Sequence, residues 1–147
     1  MSYEFFILVG FIVFSDQLSK FLIIKALPSS GITLIPGFLD LKIAENQGLI
    51  FGLFQNSFSQ GIWILISLLV VLFLYFYLKF WQKKQNTWLI VGFGFLAGGI
   101  LGNMFDRVRQ GMVTDFFDLY FKNLHWPLFN LADLAILAGI IIVLKYK

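Results

Sequence analysis

The sequence predicts an all-α integral membrane protein. It has four transmembrane helices, a small extracytoplasmic β-rich segment, and N- and C-termini in the cytoplasm. Three observations carry this. The 147 residues are 59% hydrophobic and 13% charged, far from the balance of a water-soluble domain. Four apolar runs approach the roughly 20 residues that a helix needs to cross the hydrocarbon core. The lysines between and after those runs follow the positive-inside rule.

A single membrane domain of this length holds helices at about 5–25, 61–80, 88–106 and 127–145. Outer loops then cover 26–60 and 107–126, and a cytoplasmic loop covers 81–87. The first run contains Asp16 and Lys20 and lacks a basic leader, so it reads as an uncleaved helix rather than a signal peptide. The second carries no internal charge and reads as scaffold. Gly94, Gly98 and Gly102 recur every four residues in the third, a small-residue seam that lets a neighbouring helix come close. The fourth is slightly short unless it includes Trp126 or Pro127, and a proline suits the first turn of a helix. Lys79, Lys83 and Lys84 mark one cytoplasmic boundary, and Lys145 and Lys147 mark the other.

The net charge of +3 is spread beside apolar segments rather than along a stripe, so no nucleic-acid partner is expected. There is no cysteine, which removes disulfides, thiol nucleophiles and thiolate metal sites. His125 is the only histidine, so neither a multi-histidine metal centre nor the usual serine-triad base is present.

The acids then stand out. An ionisable residue near hydrocarbon is costly and marks a functional site by default. Asp16, Ser19 and Lys20 share one helix face, and so do Asn103, Asp106 and Arg107. Asp16 and Lys20 read equally well as a structural ion pair, and Arg107 as an interfacial anchor. Residues 39–45 alternate in the manner of a half-buried strand, after the turn at Pro36-Gly37. Asn46 then reads as a turn residue ahead of Gly48. The short, glycine-broken run 46–54 reads as a sheet or loop on the membrane surface. Asp115 lies between Val113-Thr114 and Phe116-Phe117, and Asp133 opens the last apolar run. Asp133 also suits a helix N-terminus electrostatically. Two such acids on one membrane face point to acid–base chemistry.

At these residues the chain resembles the bacterial lipoprotein signal peptidases, or signal peptidase II. The resemblance rests on Asp16-Gln17-Leu18-Ser19-Lys20, Asn46-Gln47-Gly48 with Phe51-Gly52, and the run Gly98 to Arg107. It continues through Gly111 to Phe116 and ends at Phe129-Asn130-Leu131-Ala132-Asp133. These segments occur in family order over nearly the whole chain. Leu49 and Ile50 depart from it, standing where the family usually has two small residues.

The resemblance implies an aspartic endopeptidase with Asp115 and Asp133 as the catalytic dyad. Asn46, Asn103, Arg107 and Asn130 would bind substrate or orient the dyad, with Asp16, Lys20 and Asp106 as structural support. It also implies cleavage of lipid-modified lipoprotein precursors before the lipidated cysteine, without metal or cofactor. The enzyme would be a multi-pass monomer among membrane lipids. Its active site would lie at the extracytoplasmic face of the bacterial cytoplasmic (inner) membrane. The competing class is a small proton- or ion-coupled carrier, which predicts acids spread across the bilayer depth.

Overall fold

A computed structural model describes residues 3–48, 59–80 and 86–146. The expected surface segment beyond Gly48, including Leu49, Ile50 and Phe51-Gly52, lies outside the described residues, as do Lys83, Lys84 and Lys147. Four helices are described: α1 (Tyr3–Ala26), α2 (Gln60–Phe80), α3 (Thr87–Gln110) and α4 (Leu131–Tyr146). The first three are long and apolar enough to cross a membrane. Half of α3's apolar window is buried inside the protein, against 17% in α1 and α2, so α3 is the central helix. The outer faces of α1 and α2 expose Phe6, Phe11, Phe14, Leu69 and Phe73, apolar surface suited to lipid.

The glycine seam does the packing expected of it. A Cβ on Gly94, Gly98 or Gly102 would lie 2.8 Å from Leu8, Ile12 or Asp16 respectively, so each four-residue step on α3 meets one on α1. A second seam, Gly92 and Gly99 on α3 with Gly139 on α4, brings those two backbones together. At the end away from the sheet, Phe5, Leu74, Leu78, Ile90, Phe93 and Ala97 form the apolar core of α1, α2 and α3. There Trp88 stacks on Tyr146, and Asn86, which caps α3, donates to the Tyr146 carbonyl.

Two boundaries differ from expectation. Helix α3 continues to Gln110 and stops at Gly111, whose left-handed φ of 76° returns its N–H to the Arg107 carbonyl. Arg107 is therefore held in the last turn of a helix rather than in a loop. Helix α4 starts at Leu131, not near 127, and its 16 residues span about 24 Å at 1.5 Å per residue. Pro127 lies outside the helix because the chain before Asn130 is engaged elsewhere. Trp126 donates to the Leu119 carbonyl, and Phe129 exchanges backbone hydrogen bonds with Phe117.

The β-rich segment is a four-stranded antiparallel sheet in the order β1 (Ile32–Ile35), β2 (Leu39–Asn46), β3 (Val113–Phe121), β4 (Leu124–His125). The alternation at 39–45 did mark β2. Strand β3 is dense in β-branched and aromatic residues but shows no alternation, because residues 113–116 are buried on both faces. The sheet closes the end of the bundle where α1 and α3 finish and α4 begins.

Candidate active site

The polar core begins on α1. Asp16 and Lys20, one turn apart, are both buried, with Lys20 Nζ 2.8 Å from Asp16 Oδ2. The same ammonium lies 2.8 Å from Asp106 Oδ2 and donates to Asn103 Oδ1 at 3.1 Å. Its three protons thus meet three acceptors. Gln17 donates to Asp16 Oδ2 and Asp106 Oδ1, at 3.1 and 2.8 Å. Gly102 makes this possible, since a methyl there would occupy the space of the Asp16 carboxylate. Neither Asp16–Lys20 nor Arg107 is a surface anchor; all three are interior.

Asn103 carries the network from α3 to α4. With its carbonyl oxygen receiving Lys20, its Nδ2 turns to Asp133 Oδ1 at 2.9 Å. Asp133 and Asn130 form a reciprocal cap at the start of α4. The Asp133 N–H donates to Asn130 Oδ1 at 3.0 Å, and the Asn130 N–H donates to Asp133 Oδ2 at 3.2 Å. Local sequence thus holds Asp133 in a helical first turn.

Asp115 arrives on β3. Its Oδ1 accepts from Asn130 Nδ2 at 2.7 Å and its Oδ2 from Asn46 Nδ2 at 2.9 Å. The register explains Asn46. It pairs with Val113, two residues from Asp115 on the same face, and diagonal neighbours are within side-chain reach. Asn46 Oδ1 also accepts the Gly48 N–H, so it is a turn residue and a site residue at once. Arg107 donates to the carbonyls of Asn103 and Gly48. Asp115, Asp133, Asn46, Asn103, Arg107, Asn130, Asp16, Lys20 and Asp106 are therefore one connected cluster.

The site also uses groups that the sequence did not flag. Gln17 bridges two carboxylates from within a quoted motif. Thr114 contributes its backbone, the N–H to Asp106 and the carbonyl to Asn130. Backbone roles leave no residue-type signal. The Gly48 carbonyl is another of that kind.

Within the cluster Lys20 and Arg107 balance Asp16 and Asp106, leaving Asp115 and Asp133 as the excess acids. Burial pushes the Asp115 carboxyl up to about 7, with the Asp133 charge adding to the rise. Asn46 and Asn130 hold the charged form and oppose it. A carboxyl that titrates there can hold or release a proton at neutral pH. An apolar cavity of about 320 Å³ opens beside Asp133, lined by Leu119, Trp126, Phe129, Leu134, Leu137 and Ile140.

Comparison with known proteins follows the same lines. Residues 8–146 match the family described as Signal peptidase (SPase) II. The chain belongs to that family. It is 43% identical over 140 residues to the lipoprotein signal peptidase of Thermodesulfovibrio yellowstonii, covering 95% of this chain and 91% of the relative. It is 34% identical over 136 residues to that of Oleidesulfovibrio alaskensis, covering 91% and 87%. In structure it resembles a bacterial membrane enzyme determined in meso at 2.3 Å resolution. The TM-score is 0.83 at 26% identity, covering 97% of this chain and 85% of the other.

Proposed function

We propose that this signal peptidase II family member is a membrane aspartic endopeptidase. It removes the signal peptide from diacylglyceryl-modified lipoprotein precursors by cutting before the lipidated cysteine. The observation that carries the reading is the joint hold of Asn130 on both acids, Asp115 through its side-chain amide and Asp133 through the helix cap.

Two neighbouring carboxyls in a buried site share one proton and titrate as a pair. The ionised member takes a proton from water as the water oxygen attacks the scissile carbonyl carbon. The protonated member gives its proton to the carbonyl oxygen, yielding a neutral tetrahedral diol. Collapse then breaks the C–N bond, as one carboxyl protonates the leaving nitrogen and the other recovers a hydroxyl proton. Both carboxyls accept hydrogen bonds at both oxygens, so the roles belong to the dyad. Asn46, Asn103 and Asn130 keep the pair oriented, and Arg107 holds the Gly48 carbonyl beside Asn46.

The dyad lies at the sheet end of the helices, and Lys79 and Lys145 close α2 and α4 at the other end. This supports four membrane-crossing helices with cytoplasmic termini, and a site at the extracytoplasmic face of the cytoplasmic membrane. A lipidated cysteine, its acyl chains held in the bilayer, presents the scissile bond at that depth. Asp16, Asp106, Asp115 and Asp133 gather in one cluster instead of lining a path across the bilayer, which disfavours the carrier reading.

The test uses purified protein in lipid with one precursor in lipidated and unlipidated forms. Cleavage confined to the lipidated form, and lost in Asp115→Asn and Asp133→Asn, is the expected result. Substantial activity in either well-folded variant would remove the dyad assignment. Ion uptake into proteoliposomes without cleavage would favour the carrier.

A further inference from the structure

Two backbone hydrogen bonds in the polar core share a pattern. Asp16 Oδ1 accepts the N–H of Ala132 at 3.0 Å, and Ala132 immediately precedes Asp133. Asp106 Oδ2 accepts the N–H of Thr114 at 3.2 Å, and Thr114 immediately precedes Asp115. Each supporting acid therefore grips the peptide unit leading into one dyad acid. Lys20 Nζ sits between the two grips, 2.8 Å from a carboxylate oxygen of each. Gln17 makes a second bridge between the same carboxylates.

We infer that Asp16, Lys20 and Asp106, braced by Gln17, form a spacer that sets the separation of the Asp115–Asp133 pair. The inference rests on the peptidase reading of that pair. Asp115 is carried by a strand and Asp133 by a helix, and Asn130 is the one described side chain bonded to both. The spacer ties the two elements together from beneath. Without the ammonium, the Asp16 and Asp106 carboxylates repel across a buried gap and draw the attached backbones apart. Lys20 also fixes the amide of Asn103, which turns Nδ2 towards Asp133. Lys20 and Gln17 are thus positioning residues, acting on the reaction through the dyad.

The coupling between two carboxyls falls with their distance, so the gap between the dyad's two titration steps reports the separation. The charged groups around the dyad are Asp16 and Lys20 on α1 and Asp106 and Arg107 on α3. Removing the Lys20 charge alone raises both steps together; losing the spacing narrows the gap. The experiment follows the dyad carboxyl bands by infrared titration in wild type, Lys20→Met and Gln17→Met. The dyad bands are assigned by their loss in Asp115→Asn and Asp133→Asn. Precursor cleavage is measured alongside.

The expected result is a narrowed gap in both variants, larger for Lys20→Met. A fall in kcat on the order of 100-fold for Lys20→Met, with KM nearly unchanged, should accompany it. A uniform shift of both steps with no narrowing, or lower turnover with an unchanged gap, would overturn the spacer and leave a merely structural ion pair. If Lys20→Met does not fold, Gln17→Met decides, because it keeps every charge. The gap is read without turnover, so wild type that titrates as a coupled pair but cleaves no precursor would refute the peptidase reading alone.

Discussion

The protein builds the same charge motif twice, a lysine between two aspartates, and uses the two differently. In the polar core Lys20 lies between Asp16 and Asp106; on the sheet Lys42 lies 3.1 Å from Asp40 and 2.7 Å from Asp118. Lys20 is 2% exposed and Lys42 43%. Asp40 and Asp118 face each other across β2 and β3, where like charges repel, and Lys42 neutralises them. His125 adds a contact to Asp118 at 2.8 Å and stacks on Tyr120. Burial tends to raise the Asp118 carboxyl, but Lys42 and His125 outweigh it and hold the group below its ordinary value. One strand feeds both clusters. Asp115 and Asp118, three residues apart, point to opposite faces of β3. The two triads differ in the lysine's access to water: solvent screens Lys42 and does not reach Lys20.

Predictions that test this contrast run from large to small. Asp115→Asn and Asp133→Asn should each abolish cleavage with insertion intact, as measured by turnover of lipidated precursor and by detergent solution behaviour. Gly102→Ala should strike the buried triad indirectly. Its methyl would lie 2.8 Å from Asp16 Oδ2, and overpacking of this kind costs about 1–3 kcal/mol. Thermal unfolding and kcat should both fall. Gly94→Ala, which meets only the flexible end of Leu8, should do less. Equal losses in the two would separate the carboxylate from the effect.

The pH dependence sharpens the comparison further. On the dyad reading the pair needs one proton; the Asp115 carboxyl is pushed up to about 7, so cleavage should fall as pH rises through that region. In Asp133→Asn the neighbouring charge is gone while the burial remains. Asp115 should then titrate below about 7 but still above its ordinary 3.8 in an infrared titration. The smallest effect belongs to the sheet triad, whose lysine is exposed. Lys42→Met should leave cleavage within about twofold of wild type, and its effect on unfolding should shrink with added salt. A loss comparable to that of Lys20→Met would break the comparison.

The sequence alone determined the membrane class, the four apolar segments and most of the charged and amide side chains of the polar core. Apolar length, small-residue spacing and costly buried charges are local properties, readable without knowing who touches whom. Asp16 with Lys20, and Asn103 with Asp106 and Arg107, were legible because helical neighbours repeat at fixed spacing. Asp115 and Asp133 stood out as candidate catalytic acids from their apolar company and from the resemblance. How they meet is set by the packing of the helices against the sheet. The late start of α4 came from strand pairing by Phe129, a long-range contact that overrode the helical apolar pattern. The parts of Gln17 and of the Ala132 and Thr114 backbones emerged only when α1, α3, α4 and β3 converged. A backbone N–H is chemically the same at every residue, and which acid it meets is a property of the packing.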